Sequence, residues 1–121
     1  MKKIISTIVL LTIASASALG SSSSSPVSIN FIAYANTGIV TVYIGITPGT
    51  NAPLTNIPAC VAAGNIGNTY DYVFDSTTAA GKSMLAGLIA SQVAGTVIYI
   101  YGTGDCAVVA GNESLLRFLQ T

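Results

Sequence analysis

Regular alternation of apolar and polar side chains predicts two strands near the start of the chain. Residues 27–34 are rich in β-branched and aromatic side chains and are followed by an Asn-Thr-Gly turn sequence. In residues 39–46, valine or isoleucine occupies every second position, which places these side chains on one face of a strand. Because only a short turn separates the two segments, they predict a β-hairpin.

No period is sustained over the next part of the chain. Residues 47–68 contain three prolines together with several glycines and asparagines, a composition typical of irregular structure. The segment therefore predicts a long loop, of the kind that is either functional or held in place by other contacts.

Strand periodicity returns at residues 70–75, where three aromatic side chains alternate with Asp71, Val73 and Asp75. This alternation places the rings on one face of a third strand and the acids on the other. Two further strands are predicted at residues 96–101 and 114–120, and a turn-forming Gly-Thr-Gly-Asp sequence follows the first of them.

A helix is predicted between the third and fourth strands. Apolar side chains recur at helical spacing within residues 79–94. The preceding Asp-Ser-Thr-Thr sequence supplies candidate N-caps, and Gly95 is placed to end the helix. The predicted order of elements is therefore strand, strand, strand, helix, strand, strand.

This helix differs from an ordinary surface helix because Lys82 is its only charged residue. The positions away from its apolar stripe are small, which permits close approach of another backbone. We interpret this face as a candidate interface with the helix of a neighbouring subunit, formed by Ala86, Ala90, Ser91 and Ala94. The alternative interpretation is an alanine-rich helix with an exposed, featureless face.

The start of the chain predicts export. Lys2 and Lys3 precede an apolar stretch that ends at an Ala-Ser-Ala sequence, so residues 1–18 are predicted to be a secretory signal peptide. A serine-rich flexible spacer is predicted at residues 19–26, and one folded domain at residues 27–121. The alternative for the leader is an amphipathic or buried N-terminal helix. Export predicts a secreted or periplasmic protein.

Composition and charge narrow the classes of protein. Hydrophobic residues make up 51% of the chain and charged residues 7%, yet no apolar run reaches the roughly 18 to 20 residues of a membrane span. We therefore expect neither disorder nor a membrane span in the mature protein. Without the leader, two basic residues remain against four acidic ones, so binding to nucleic acid is not expected.

Cys60 and Cys106 are the only two cysteines of the chain. Export places them where disulfides form and persist, so we predict that they pair. In the chain-entropy model, a disulfide that closes the loop of about 47 residues from Cys60 to Cys106 stabilises the fold by on the order of 4 kcal/mol. A metal site is the weaker interpretation, because two thiols without histidine cannot complete a tetrahedral centre.

The chain has no histidine, and it therefore lacks the commonest general base and metal ligand. The Gly-Lys-Ser sequence at residues 81–83 matches only the end of a phosphate-binding loop, since Ser76 stands where that motif requires glycine. Asp71 and Asp75 could form a catalytic carboxylate pair, but each has a simpler structural role, Asp71 on a solvated strand face and Asp75 near the start of the helix. The Asn-Glu-Ser sequence at residues 112–114 matches a glycosylation sequon, but so short a motif arises easily by chance. We predict a protein that is not an enzyme and has no cofactor or metal.

Tyrosine is the residue type of this chain best suited to recognition, because its ring is apolar and its hydroxyl polar. Five tyrosines on the predicted strands are the candidate ligand-binding residues: Tyr43, Tyr70, Tyr72, Tyr99 and Tyr101. The alternative is that these rings pack the outside of the sheet or a subunit interface.

The order of elements is that of the OB-fold, a five-stranded barrel that binds oligosaccharides or oligonucleotides. Within residues 72–118, the sequences YVFDSTTAAGKSMLAGLIASQVAG, VIYIYGTGDCAV and ESLLRF resemble the C-terminal part of small secreted bacterial proteins that include B subunits of subtilase-cytotoxin-type, AB5-like toxins. The similar features are an Asp-Ser-Thr cap before a helix, a strand that ends in Gly-Thr-Gly-x-Cys, and Glu113 before the last strand.

The resemblance implies an OB-fold subunit that forms a ring, typically a pentamer, with helices around a pore, and that binds host-surface glycans. It also implies a disulfide from Cys106 to the loop before the third strand, where Cys60 stands. We expect a secreted, non-enzymatic homo-oligomer that recognises carbohydrate or a cell-surface partner. The alternative is a periplasmic or extracellular structural or protein-interaction domain without a glycan site.

Overall fold

The structure, a computed structural model, describes residues 20–47, 49–62 and 69–121. The predicted signal peptide, residues 1–18, lies outside the described residues. The elements in chain order are β1 (Ser22–Ser23), β2 (Ile29–Tyr34), β3 (Ile39–Gly45), β4 (Leu54–Thr55), β5 (Thr69–Asp75), α1 (Ala79–Ala94), β6 (Ile98–Gly102) and β7 (Glu113–Gln120).

The seven strands form one mixed sheet in the order β2-β3-β5-β7-β6-β1-β4. Neighbouring strands are antiparallel except β5 and β7, which are parallel. Reciprocal hydrogen bonds of 2.7 and 2.9 Å between Val27 and Ile98 also join the segment before β2 to the start of β6. Among the described residues, the prediction of a mostly β protein with a single helix is confirmed, but the sheet has seven strands rather than five and is open in this order.

The two strands that the sequence pattern does not predict are β1 and β4. Each has two residues, which is too short for a period to be recognised. β4 lies within the predicted loop, and β1 lies within the predicted serine-rich spacer. The expectation of a flexible spacer fails at Ser21 and Ser23, which are buried, because their hydroxyls find hydrogen-bond partners inside the fold.

The core is formed by the inward faces of the strands together with one side of α1. Full burial of a large apolar side chain contributes about 1.5 to 3 kcal/mol, so this cluster dominates the stability of the fold. Its members are Val27, Val40, Val42, Ile44, Leu54, Tyr70, Tyr72, Phe74, Leu88, Ile98, Ile100 and Leu115.

The predicted bounds of the helix are confirmed by α1. Thr78 is the N-cap, and its Oγ1 accepts a hydrogen bond from the Gly81 N–H at 2.9 Å. Gly95 ends the helix in the left-handed conformation, with φ 71°, which glycine adopts without a Cβ clash. Leu88 is completely buried, whereas Val93 on the outer side is 83% exposed.

One residue of the candidate helix interface is placed differently from the prediction. Ser91 is buried, and its Oγ accepts a hydrogen bond of 2.8 Å from Nε2 of Gln120 in β7. Ser91 therefore packs within the chain and cannot line an interface. Ala86, Ala90 and Ala94 are exposed, so the rest of the predicted face is open to solvent.

The predicted disulfide between Cys60 and Cys106 is confirmed, with a Cα–Cα distance of 6.1 Å. It joins the loop before β5 to the loop between β6 and β7. A hydrogen bond of 2.9 Å from the Ala62 N–H to the Gly111 carbonyl connects the same two loops. Both links fix the approach of the chain to β7.

Candidate ligand-binding groove

One transverse row of outward-facing side chains crosses four neighbouring strands. The register pairs Thr55 of β4 with Ser22 of β1, Ser22 with Tyr101 of β6, and Tyr101 with Arg117 of β7. We call these four residues the Tyr101 row. It brings together two hydroxyl groups, an aromatic ring and a cation, which is a combination suited to polar ligands with an apolar face.

A groove of about 260 Å³ lies over part of the Tyr101 row. Its lining includes Tyr101, Arg117, Ser22, Asn56 and Leu116. Ligand pockets usually have volumes of roughly 300 to 1,000 Å³, so the groove suits a group about as large as one sugar ring.

A β-bulge shapes the groove. Tyr101 pairs with Arg117, but the next residue of β6, Gly102, pairs with Leu115, so the register shifts by one residue. Leu116 is left without an opposite residue in β6 and is half exposed beside Arg117. Bulges commonly redirect side chains next to binding sites.

The guanidinium group of Arg117 lies over the ring of Tyr101, with Cζ 4.8 Å from the ring centroid. This distance is within the range of a cation–π interaction. Arg117 is exposed, and within the described chain this ring contact is the one hydrogen-bonding, ionic or ring interaction of its side chain. Its N–H groups are therefore available to a carboxylate or hydroxyl of a ligand.

Asn56 supplies the amide of the groove. It follows β4 directly and has a left-handed backbone with φ 60°, a conformation that asparagine tolerates better than most residues. The side chain is exposed and provides both a donor and an acceptor.

A buried carboxylate supports the floor of the groove. Glu113 is completely buried, and its Oε2 accepts hydrogen bonds of 3.0 Å from the N–H groups of Ser21 and Gly104. Its Oε1 accepts hydrogen bonds from the hydroxyls of Ser21 at 2.5 Å and Tyr70 at 2.8 Å. None of the four donors is a cation, so dipoles alone satisfy this carboxylate.

Tyr72 extends this network. Its hydroxyl lies 2.5 Å from Ser21 Oγ, and since the Ser21 hydroxyl proton is directed to Glu113, Tyr72 is the donor. Burial raises the pKa of Tyr70 and of Tyr72, and the charge of Glu113 raises both further. Both hydroxyls therefore stay protonated and donate hydrogen bonds at neutral pH.

Two glycines allow the N-terminal segment to approach the network. A Cβ atom at Gly102 would overlap the Glu113 carboxylate, and one at Gly20 would overlap the backbone of Gly102. These close approaches place Ser21 on Glu113, and its neighbour Ser22 beside Tyr101 in the adjacent strand. The groove is therefore built on a fixed backbone.

The five predicted ligand-binding tyrosines are divided between the core and the surface. Tyr101 lines the groove, and Tyr99 lies on the same outer face, opposite Leu119. Tyr43 lies on the outer face of β3, away from the groove. Tyr70 and Tyr72 are completely buried, so neither can contact a ligand at the surface.

The glycosylation sequon is folded into the same region. Its central residue is Glu113, and Ser114 is also buried. Within the described part of the chain, no group of three or more His, Cys, Asp or Glu side chains is arranged to hold a metal ion.

Most groove residues were not predicted from the sequence. Ser21 and Ser22 belong to a serine tract whose composition does not distinguish a buried hydroxyl from a solvated one. Leu116 and Arg117 are brought to the groove by a bulge that leaves no periodic signal. The alternation of β6, which places Tyr101 on the outer face, is the one sequence pattern that indicates a groove residue.

Comparisons of the chain with protein-family models, curated proteins and solved structures give no match. Among the described residues, no helix has the length and apolar character needed to cross a membrane. The case for a function therefore depends on the geometry of the groove.

Proposed function

We propose that this chain is a secreted, non-enzymatic binding subunit that recognises carbohydrate at the cell surface. The observation that carries this proposal is the arrangement of the Tyr101 ring, the Arg117 guanidinium and the Asn56 amide around one small groove. A sugar ring has an apolar C–H face and polar edges, and the groove offers partners for both.

The chemistry of the groove favours a carboxylated sugar. Arg117 can donate two parallel hydrogen bonds to a carboxylate, while Asn56 and Ser22 serve hydroxyl groups. No acidic side chain lines the groove in the described residues, and the Glu113 carboxylate beneath its floor is already satisfied by four hydrogen-bond donors. The Glu113 network fixes the floor before a ligand arrives, which reduces the entropy lost on binding.

An OB-type barrel is part of the proposal. The path β2-β3-β5-β7-β6, the parallel pairing of β5 with β7, and the Val27–Ile98 link from the segment before β2 to β6 support it. In this view β1 and β4 extend the barrel at one edge. A homo-oligomer, pentameric in the implied family, is supported by the exposed side of α1, on which Lys82 is the single charged residue.

Glycan binding is tested with the exported, oxidised protein on an array of neutral and carboxylated glycans, followed by titration calorimetry of the best ligand. Tyr101→Ala and Arg117→Ala should each weaken binding by about tenfold or more, since each removes an interaction worth roughly 1.5 to 3 kcal/mol. Tyr34→Ala is the matched control, because Tyr34 is 60% exposed but lies outside the groove.

The proposal fails if no glycan binds, or if the control variant weakens binding as much as the groove variants. N-terminal sequencing of the exported protein tests the secretory part separately, with cleavage expected after Ala18. Native mass spectrometry tests assembly, and Ala90→Glu should disperse the oligomer while each subunit stays folded.

A structural or protein-interaction domain without a glycan site is the second candidate. The strongly exposed Val93, next to the exposed Ala90 and Ala94, favours it, because an apolar helix side suits a protein partner. Under this alternative, Val93→Lys abolishes assembly or partner binding, whereas Tyr101→Ala has no effect on any ligand.

A further inference from the structure

A second row of side chains lies on the outer face of the sheet, away from the groove. Phe31 of β2 is paired in register with Tyr43 of β3, and Tyr43 with Asp71 of β5. We call these three residues the Tyr43 row. The two rings are stacked, with centroids 4.1 Å apart and an angle of 24° between their planes. Phe31 remains 51% exposed, so stacking leaves part of its ring open to solvent.

The carboxylate of Asp71 has only a weak partner. Its one hydrogen bond comes from the Thr69 hydroxyl at a long 3.5 Å, and partial burial raises its pKa. The two cations of the described residues are elsewhere: Arg117 lies over Tyr101, and Lys82 is an exposed residue of α1. This half-buried acid, which lies next to Tyr43 in the register, therefore lacks a counter-ion within the described chain.

We propose that the Tyr43 row is a second binding site, distinct from the groove, which takes the guanidinium group of an arginine-bearing ligand. Because Tyr43 lies between Phe31 and Asp71 in the register, the planar cation would contact the Tyr43 ring and donate hydrogen bonds to the Asp71 carboxylate. This inference does not depend on the glycan-binding proposal, because the two sites share no residue.

Three features favour a guanidinium over other ligands. Its planar, weakly hydrated cation fits an aromatic face, whereas a compact ammonium is held more strongly by water. An anionic ligand would be repelled by Asp71. Cross-strand aromatic pairs also stabilise sheets without any ligand, but such a pair gains nothing from an adjacent carboxylate without a counter-ion.

The test is a titration of the exported, oxidised protein that is monitored through its backbone amide NMR signals. N-acetylargininamide should shift the signals of Phe31, Tyr43 and Asp71, whereas N-acetylcitrullinamide, its neutral isostere, should not. Equal binding of the two compounds would overturn the proposal, because a site for the cation must distinguish them.

Three variants locate the site. Asp71→Asn should weaken the binding of N-acetylargininamide by about tenfold or more, because it removes the carboxylate charge. Asp105→Asn is the matched control: Asp105 is an exposed acid on the loop after β6, and its loss should leave the affinity unchanged. Tyr43→Leu should weaken binding while circular dichroism shows an intact fold.

The result can be separated from that for the groove. Tyr101→Ala should retain the binding of N-acetylargininamide, and Asp71→Asn should retain any glycan binding. A short Gly/Ser peptide with one central arginine distinguishes the source of the group, since tighter binding than that of N-acetylargininamide indicates a polypeptide ligand. Signal shifts confined to the groove, or an equal loss of affinity in Asp105→Asn, would reject the site.

Discussion

Two strands of this protein carry the same Tyr-x-Tyr spacing and use it in opposite ways. In β5, the tyrosines of the Tyr-Asp-Tyr sequence at residues 70–72 are completely buried. In β6, those of the Tyr-Ile-Tyr sequence at residues 99–101 lie on the outer face, and Tyr101 lines the groove. The residue between the tyrosines accounts for the difference.

Side chains alternate between the two faces of a strand, so the face on which one residue lies determines the face of its neighbours. Ile100 is completely buried, which turns both tyrosines of β6 outwards. Asp71 lies on the outer face, which turns both tyrosines of β5 into the core. The buried hydroxyls then require partners, and the network around Glu113 provides them.

The largest effect on stability is expected when the residue between the two tyrosines of each strand, Ile100 or Asp71, is replaced by its counterpart. Ile100→Asp places a carboxylate in the apolar core without a partner, which we expect to destabilise the fold by more than about 4 kcal/mol and to prevent folding. Asp71→Ile, at a half-exposed position, should leave the protein folded. Urea denaturation of both variants measures the difference. Similar stability of the two variants would show that the central residue does not decide the facing.

Removing the acceptor of the buried network should have the next largest effect. Glu113→Ala leaves the buried N–H of Ser21 and the partly buried N–H of Gly104 without their acceptor, at about 1 to 3 kcal/mol each, so a total loss of about 2 to 6 kcal/mol is expected. Glu113→Gln keeps one acceptor oxygen and should lose less. An unchanged denaturation midpoint in Glu113→Ala would exclude this network as the support of β5.

The sequence predicts the six longer elements, because each extends over several periods of its apolar pattern. The facing of the tyrosines also follows from Asp71 and Ile100, but the sequence does not reveal that Tyr70 and Tyr72 point to a buried carboxylate. Glutamate is usually found at the surface, so the sequence does not indicate that Glu113 is buried. Its partner Ser21 belongs to a serine tract that is typical of a linker. Contacts between such distant segments depend on the close packing at Gly20 and Gly102.

Alkaline pH should destabilise the fold through its two buried tyrosines, Tyr70 and Tyr72. Burial raises the pKa of Tyr70 and Tyr72 above the ordinary value of 10.0, so the folded state favours their protonated form more strongly than the unfolded state does. Their contribution to stability is therefore complete below about pH 10 and is lost as the pH rises further.

Tyrosinate absorbance and circular dichroism, recorded together during alkaline titration, measure this effect. We expect part of the tyrosinate signal to develop together with unfolding. Tyr72→Phe should reduce that part, because it removes one of the two hydroxyls whose pKa burial raises. If all of the tyrosinate signal developed before unfolding, the buried hydroxyls would have to be accessible in the folded protein.

The smallest expected effect concerns the outward residue of β5. Partial burial raises the pKa of Asp71 above 3.8, so the charged carboxylate is disfavoured in the folded state. Stability contributed by its protonated form is lost as the pH rises through the window just above 3.8. Asp71→Asn should therefore melt at a slightly higher temperature than the parent at neutral pH, and the difference should close as the pH falls through this window.

Asp75, on the same strand, has a pKa that is shifted in the opposite direction. Hydrogen bonds from the side chain and N–H of Thr77 lower its pKa, so Asp75→Asn should lower the melting temperature at neutral pH. The two variants together show whether the charge of Asp71 weakens the fold while the charge of Asp75 stabilises it. A lower melting temperature for Asp71→Asn at neutral pH would instead mean that the folded chain stabilises this charge, and the basis for a cation site at Tyr43 would be lost.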